Sequence, residues 1–144
     1  MKKLILDTNF IVAYLLPNDS LHKRSVKLEE TKNISSNECY VSNQIITEVM
    51  NILGQKDSVE YAKNMYNMMK DNFIWINEYD IPNFNDCVLS NYKKLNVTNN
   101  GLNIKHKLGF TDCSIITVAE YYGLDGIVTF DEGFLNNNII DIIF

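Results

Sequence analysis

Two short apolar runs at opposite ends of the chain each finish on an aspartate. The first, KLILD, covers residues 3–7, and the second, GIVTFD, covers residues 126–131. Neither alternates polar and apolar residues, as a strand with one wet face would, so each reads as a strand buried on both sides. Each is followed at once by a helix-forming stretch. A strand covered on both faces needs helices on both sides of its sheet, and that requirement points to an α/β design built on a largely parallel sheet.

The intervening residues keep the alternation. TNFIVAYLLP reads as a helix that ends before Pro17, and SLHKRSVKLEETKN as a mostly exposed amphipathic helix. CYVS suits a short strand. NQIITEVMNILG is a strong helix with Ile45, Val49, Ile52 and Leu53 on one face and Gly54 as its expected end. SVEYAKNMYNMMKD predicts another helix, its stripe formed by Tyr61, Met65, Met68 and Met69, methionines that suit gap-filling in a core. FIWINE alternates like a strand. PNFNDCVLSNYKKLN opens on a proline suited to a helix start, and VTNNGLNIKHKLG is the most loop-like segment. FTDCSIITVAEYYG predicts a helix closed by Gly123, EGFLNN a short helix and IIDIIF a final strand. No repeat, linker or boundary interrupts residues 1–144, which suit one domain with one core.

Composition narrows the function classes. Hydrophobic residues make up 46% and charged residues 22%, a globular balance. The longest apolar run, FIVAYLL, is far short of a membrane span, and no secretory leader pattern opens the chain, so a soluble cytoplasmic protein with no membrane association is expected. Cys39, Cys87 and Cys113 are scattered without metal-ligand spacing and read as small buried thiols in a reducing compartment. A net charge of −5 argues against nonspecific nucleic-acid binding through a basic surface, but not against a nucleic-acid enzyme whose cations are metals.

Four acids carry the chemistry. In parallel α/β sheets the ligand site lies beyond the carboxyl ends of the strands, where Asp7 and Asp131 both fall. Each also occupies an ordinary helix N-cap position, and taken singly that structural role is the better reading. Glu48 lies three residues after Ile45 and four before Ile52, bordering the apolar stripe of its helix. Asp112 opens its helix with Ile116 and Ala119 along the same side, so it faces inward at a positive helix end. Clustered carboxylates repel and resist joint ionisation unless a cation lies among them, and hard oxygen donors suit Mg²⁺ or Mn²⁺.

LDTNFIVAYL, SNQIITEVMNIL and FTDCSIITVAEYYGLDGIVTFDEGF together resemble the PIN-domain ribonucleases, in particular the VapC-like toxins of type II toxin–antitoxin systems. The likeness runs in order over nearly the whole chain, with little signal between about Val59 and Lys107. It implies a PIN-like three-layer α/β/α sandwich around a central, mostly parallel sheet. The family's four metal-binding acids match Asp7, Glu48, Asp112 and Asp131, its polar residue after the first acid matches Thr8 with Asn9 beside it, and its threonine before the last acid matches Thr129. Thr8, Asn9 and Thr129 would orient carboxylates or water. The implied activity is metal-assisted endonucleolytic hydrolysis of RNA, with Asp7, Asp112 and Asp131 mainly on the metal and Glu48 binding through water or helping to deprotonate it. A small cognate antitoxin and a homodimer are implied as partners.

Two departures accompany the likeness. The chain has one arginine, Arg24, so an arginine-rich RNA surface is absent, and the loop before Asp112 is rich in asparagine. Lys105, His106 and Lys107 precede that helix and read as a solvated loop, and His22 carries no catalytic signal. Tyrosines such as those of EYYG suit core or dimer packing better than base stacking. Other classes remain in view. A phosphotransferase of the haloacid-dehalogenase type needs a second aspartate where Asn9 stands, and a receiver domain needs an acidic pair that is missing. A PIN-like RNA-processing nuclease that is not a toxin, and a PIN-like scaffold that binds RNA or protein without cutting, stay open.

Overall fold

The computed structural model describes residues 1–97 and 107–144. Five strands, β1 (Lys3–Leu6), β2 (Glu38–Ser42), β3 (Ile74–Ile76), β4 (Gly126–Val128) and β5 (Asp141–Ile143), form one sheet in the order β3-β2-β1-β4-β5. All four pairings are parallel, so the sheet is more uniform than a mostly parallel one. β1 is central, and Leu4, Ile5 and Leu6 are buried on both faces. β4 is buried throughout. Gly126 lies where two neighbours close in: a Cβ there would meet Ile143 Cδ1 at 3.3 Å and Leu4 Cδ2 at 3.4 Å.

Among the described residues six helices cover the sheet: α1 (Thr8–Leu15), α2 (His22–Lys32), α3 (Asn43–Lys56), α4 (Val59–Asn72), α5 (Phe84–Leu95) and α6 (Phe110–Tyr121). α1 packs on α2 and α3, and α3 on α4, whereas α5 packs on α6. The division follows from connection handedness. The chain moves outward from β1 to β2 to β3, then returns past β1 to place β4. Right-handed crossovers therefore put α1–α4 on one face and α5–α6 on the other, a three-layer α/β/α sandwich. The order reverses between β1 and β4, which is where an open parallel sheet leaves a crevice at its carboxyl edge.

The helices form largely where periodicity predicts them. α3 buries Ile45, Ile46, Val49 and Leu53, and each such side chain contributes roughly 1.5–3 kcal/mol through burial. Replacing Val49, which has no exposed surface, by an acid would strand a charge in the core. Gly54 does not end this helix: it continues to Lys56 and stops at Asp57, because a lone glycine weakens a helix without breaking it when its flank is packed. α4 buries Ala62 and Met69, with Tyr61, Met65 and Met68 half-buried against the core. Pro82 does not open α5, which begins at Phe84 after Asn83 turns the chain in the left-handed region, at φ 53°. Gly123, at φ 63°, follows α6 as expected. EGFLNN forms a 3-10 turn over Glu132–Asn136.

Cys39 and Cys113 are buried free thiols pushed up to about 11, first by burial. Cys87, expected to be buried, is exposed because it faces outward on α5. The expected loop over residues 97–109 lies mostly outside the described residues, Lys105 and His106 included, while Lys107 is exposed. Among the described residues no helix is long and apolar enough to cross a membrane.

Candidate active site

Strand pairing places the first acid. Leu6 is in register with Val128, and the Asp7 N–H continues the ladder to the Val128 carbonyl at 2.9 Å. Asp7 thus leaves β1 level with the end of β4. Its extended backbone caps α1, Oδ1 accepting the Thr8 N–H at 2.8 Å. Its other oxygen, Oδ2, accepts the Thr129 hydroxyl at 2.8 Å. Asp7 is therefore both a helix cap and a group tied across the sheet. It is only 7% exposed, and burial pushes its carboxyl up to about 6, against the pull of the Thr129 and Thr8 hydrogen bonds. Asp112 and Glu48 add to the rise through their charge, so both acids bear on Asp7.

Thr129, fully buried, joins the strands at this edge. Its oxygen also accepts the Asp131 N–H at 3.0 Å and the Asn9 amide at 3.2 Å. Asn9 Oδ1 in turn accepts the Phe130 N–H at 2.9 Å, so one asparagine clamps the backbone between Thr129 and Asp131. Thr8 is buried and donates its hydroxyl to Glu48 Oε2 at 2.9 Å, linking α1 to α3. Glu48 is half-buried, consistent with a place beside the apolar stripe.

Asp112 and Asp131 are held differently. Asp112 is half-buried in the first turn of α6, where Oδ2 accepts the Gly109 N–H at 3.1 Å. Burial raises its carboxyl above the ordinary value, the Gly109 bond opposes the rise, and the charges of Asp131 and Glu48 reinforce it. Asp131 is exposed, and Oδ1 accepts the Gly133 N–H at 2.9 Å at the start of the 3-10 turn. The charges of all four acids reach one another in pairs: Asp7 with Asp112 and Glu48, and Asp112 with Asp131 and Glu48.

Further polar residues brace this edge without having stood out in the sequence. Gln44 accepts the Ser114 hydroxyl at 3.0 Å and donates to Thr111 at 3.4 Å, tying the start of α3 to the start of α6. Gln44 precedes Glu48 by one helical turn, a spacing that marks a shared face. Glu78, just 2% exposed, accepts the Asn43 and Gln44 N–H groups at 3.0 and 3.1 Å. It caps α3 from outside that helix, a pairing no local pattern signals.

Whether the acids suit a divalent ion is a question of donor chemistry and spacing. All four present hard carboxylate oxygens, of the kind Mg²⁺ and Mn²⁺ take. Among the described residues no three of them stand close enough to grip an ion together. Like charges hold carboxylates apart, and a cation reverses the sign of that interaction. The donors fit in kind, with Asp7 and Glu48 pre-oriented by Thr8 and Thr129.

A family model for the PIN domain matches residues 4–139. No curated protein matches the chain in sequence. Among solved structures, it is similar to VapC20 of Mycobacterium tuberculosis, a sarcin-ricin loop cleaving toxin, at a TM-score of 0.70 and 14% identity, over 96% of this chain and 97% of that one. It is also similar to VapBC2 from Rickettsia felis bound to a promoter DNA fragment, at a TM-score of 0.61 and 16% identity, over 96% of each chain. A DNA-bound VapBC from Salmonella typhimurium matches at a TM-score of 0.62 and 16% identity, over 99% of this chain and 97% of that one. At these identities the structural likeness is one of fold.

Proposed function

We propose, from the premise that this chain belongs to the PIN domain family, that it is a divalent-metal-dependent endoribonuclease and the toxin of a toxin–antitoxin pair. The observation that carries the reading is that Asp7, buried at the end of β1 with its carboxyl raised to about 6, feels the charges of Glu48 and Asp112, with Asp131 just past the neighbouring strand β4. A cleft so furnished repels an RNA backbone unless cations intervene, and it suits them by its donors.

Asp7, Asp112 and Asp131 would hold Mg²⁺ or Mn²⁺, with Glu48 contributing directly or through water. When bound, the ion supplies charge neutralisation at the phosphate and acidification of the attacking water. Thr129 and the Thr8 N–H fix both oxygens of Asp7, so the ligand does not have to be ordered during the reaction. Glu48, oriented by the Thr8 hydroxyl, accepts the proton of the attacking water. A P–O bond to that water forms as the bond to the 3′ oxygen breaks, and the 3′ oxygen takes up a proton from solvent, leaving 5′-phosphate and 3′-hydroxyl ends. The solved neighbours support the biology: one is described as a sarcin-ricin loop cleaving toxin, and others are VapBC structures. A small antitoxin and a second copy of this chain are the partners proposed on that footing.

The test is cleavage of RNA by purified protein with Mg²⁺ or Mn²⁺. Wild type should cut and EDTA should stop it. Asp7→Asn should lower the rate by roughly a thousandfold, on the scale of removing a preorganised group at developing charge, while still melting cooperatively. Full activity in that variant, or cleavage indifferent to EDTA, would sink the reading.

A further inference from the structure

The one arginine of this acidic chain sits against Phe130, the residue before Asp131, a placement that exposure and charge together make informative. Arg24 lies in the first turn of α2 and is exposed. Its guanidinium carbon stands 4.8 Å from the centre of the Phe130 ring and 5.7 Å from that of Phe144. Phe130 directly precedes Asp131, and its N–H is clamped by Asn9. Its ring is 5.9 Å from that of Phe10, so the platform beneath the arginine is itself packed. Phe144 follows β5, whose carboxyl end shares the sheet edge with those of β1 and β4.

The setting is adverse to a cation. A helix start carries partial positive charge, which favours acids there and disfavours bases. α2 nevertheless opens with His22, Lys23 and Arg24, has no acid in its first turn and has no side-chain cap at Leu21. Among the described residues Arg24 forms no ion pair or hydrogen bond; its guanidinium lies within cation–π reach of the two rings. Asp19 supplies an acid just before this helix, its Oδ1 accepting the Leu21 N–H at 2.9 Å, yet Arg24 stands over the two rings and forms no ion pair with it. A planar guanidinium stacked on an aromatic face keeps its N–H edge free, and that edge matches phosphate oxygens.

We propose that Arg24 binds a backbone phosphate of the RNA next to the one being cut, fixing the strand across the Phe130–Asp131 end of the site. The inference rests on the nuclease reading above. It explains how a chain of net charge −5 grips a polyanion away from the acids: the arginine, seated on Phe130, acts with the positive start of α2 behind it.

Steady-state cleavage of a short single-stranded RNA, followed at several salt concentrations, tests this. Arg24→Met keeps apolar cover over Phe130 and removes the charge; Arg24→Lys keeps charge without the planar fork. Arg24→Met should raise KM about tenfold, with kcat moving much less, and should flatten the salt dependence by about one contact's slope. Arg24→Lys should fall between Arg24→Met and wild type. Wild-type KM and salt slope in Arg24→Met would overturn the assignment, as would equal losses in both variants accompanied by a lowered Tm, which mark a packing role. A wild-type protein that cuts no RNA would instead overturn the nuclease reading, and the proposal with it.

Discussion

Asp7 and Asp131 end neighbouring strands at the same sheet edge, yet they are held in opposite ways. Asp7 is 7% exposed, has each oxygen committed to a separate donor and has its carboxyl pushed up to about 6. Asp131 is exposed, and its bond to Gly133 belongs to its own turn. Glu48 goes with the first kind, braced by Thr8, and Asp112 with the second, braced by Gly109. The site thus has a half on β1 and α3 whose acids are tied to side chains of other elements, and a half on α6 and the β4 exit whose acids are tied to nearby backbone. The first half stores unfavourable electrostatics that the proposed cation would relieve; in the second, Asp131 is exposed to solvent and Asp112 is half-buried.

The sharpest way to break this contrast is to cut the link that makes the first half rigid. Thr129→Val removes the donor to Asp7 and the acceptor for Asp131 and Asn9 at one stroke. Metal affinity or cleavage should fall about 10–100-fold, as is usual when a hydrogen-bonding partner of a ligand is lost. Unchanged activity would mean that Asp7 needs no orientation.

Asp7 also predicts a pH dependence of stability, and Asp112, whose carboxyl burial raises too, adds to it in the same direction. Asp7 takes up protons more readily folded, near pH 6, than unfolded, near 3.8. Between those values the native state binds more protons, so stability is highest below the window and falls as pH rises through it. Without metal the loss should be on the order of 3 kcal/mol, complete above pH about 6. Urea titrations across that range would reveal it, and Asp7→Asn should flatten the slope and stabilise the metal-free protein at neutral pH. A stability that rises from pH 4 to 6 by this group would contradict the account. At the exposed end the stability effect is smallest: Asp131→Asn should change unfolding free energy by no more than about 0.5 kcal/mol while still lowering cleavage, a separation that melting curves and rate assays together would show.

Much of this was legible in the sequence, and the residues show why the rest was not. KLILD and GIVTFD announced the central strands because a strand buried on both faces has no polar alternation to confuse it. Glu48 and Asp112 could be placed by helical spacing, and the structure sets both at half-buried positions. Spacing does not show how deeply a side chain is buried, so Asp7 and Asp131 looked alike in the sequence. Glu78 escaped notice because its partners, the first N–H groups of α3, are more than thirty residues away in the chain. Gly54 and Pro82 misled as boundary markers where tertiary packing overrode a local preference. Arg24 was noted for being alone; its seat on Phe130 depends on α2 packing near the end of β4, which no local pattern encodes.

The central claim, that the four acids are a divalent-cation site, is tested most directly by titrating the metal-free protein with Mn²⁺ in a calorimeter at neutral pH, alongside Asp7→Asn. The account predicts saturable binding by wild type, weakened at least tenfold in the variant. Equal binding by both proteins, or none by wild type, would contradict it.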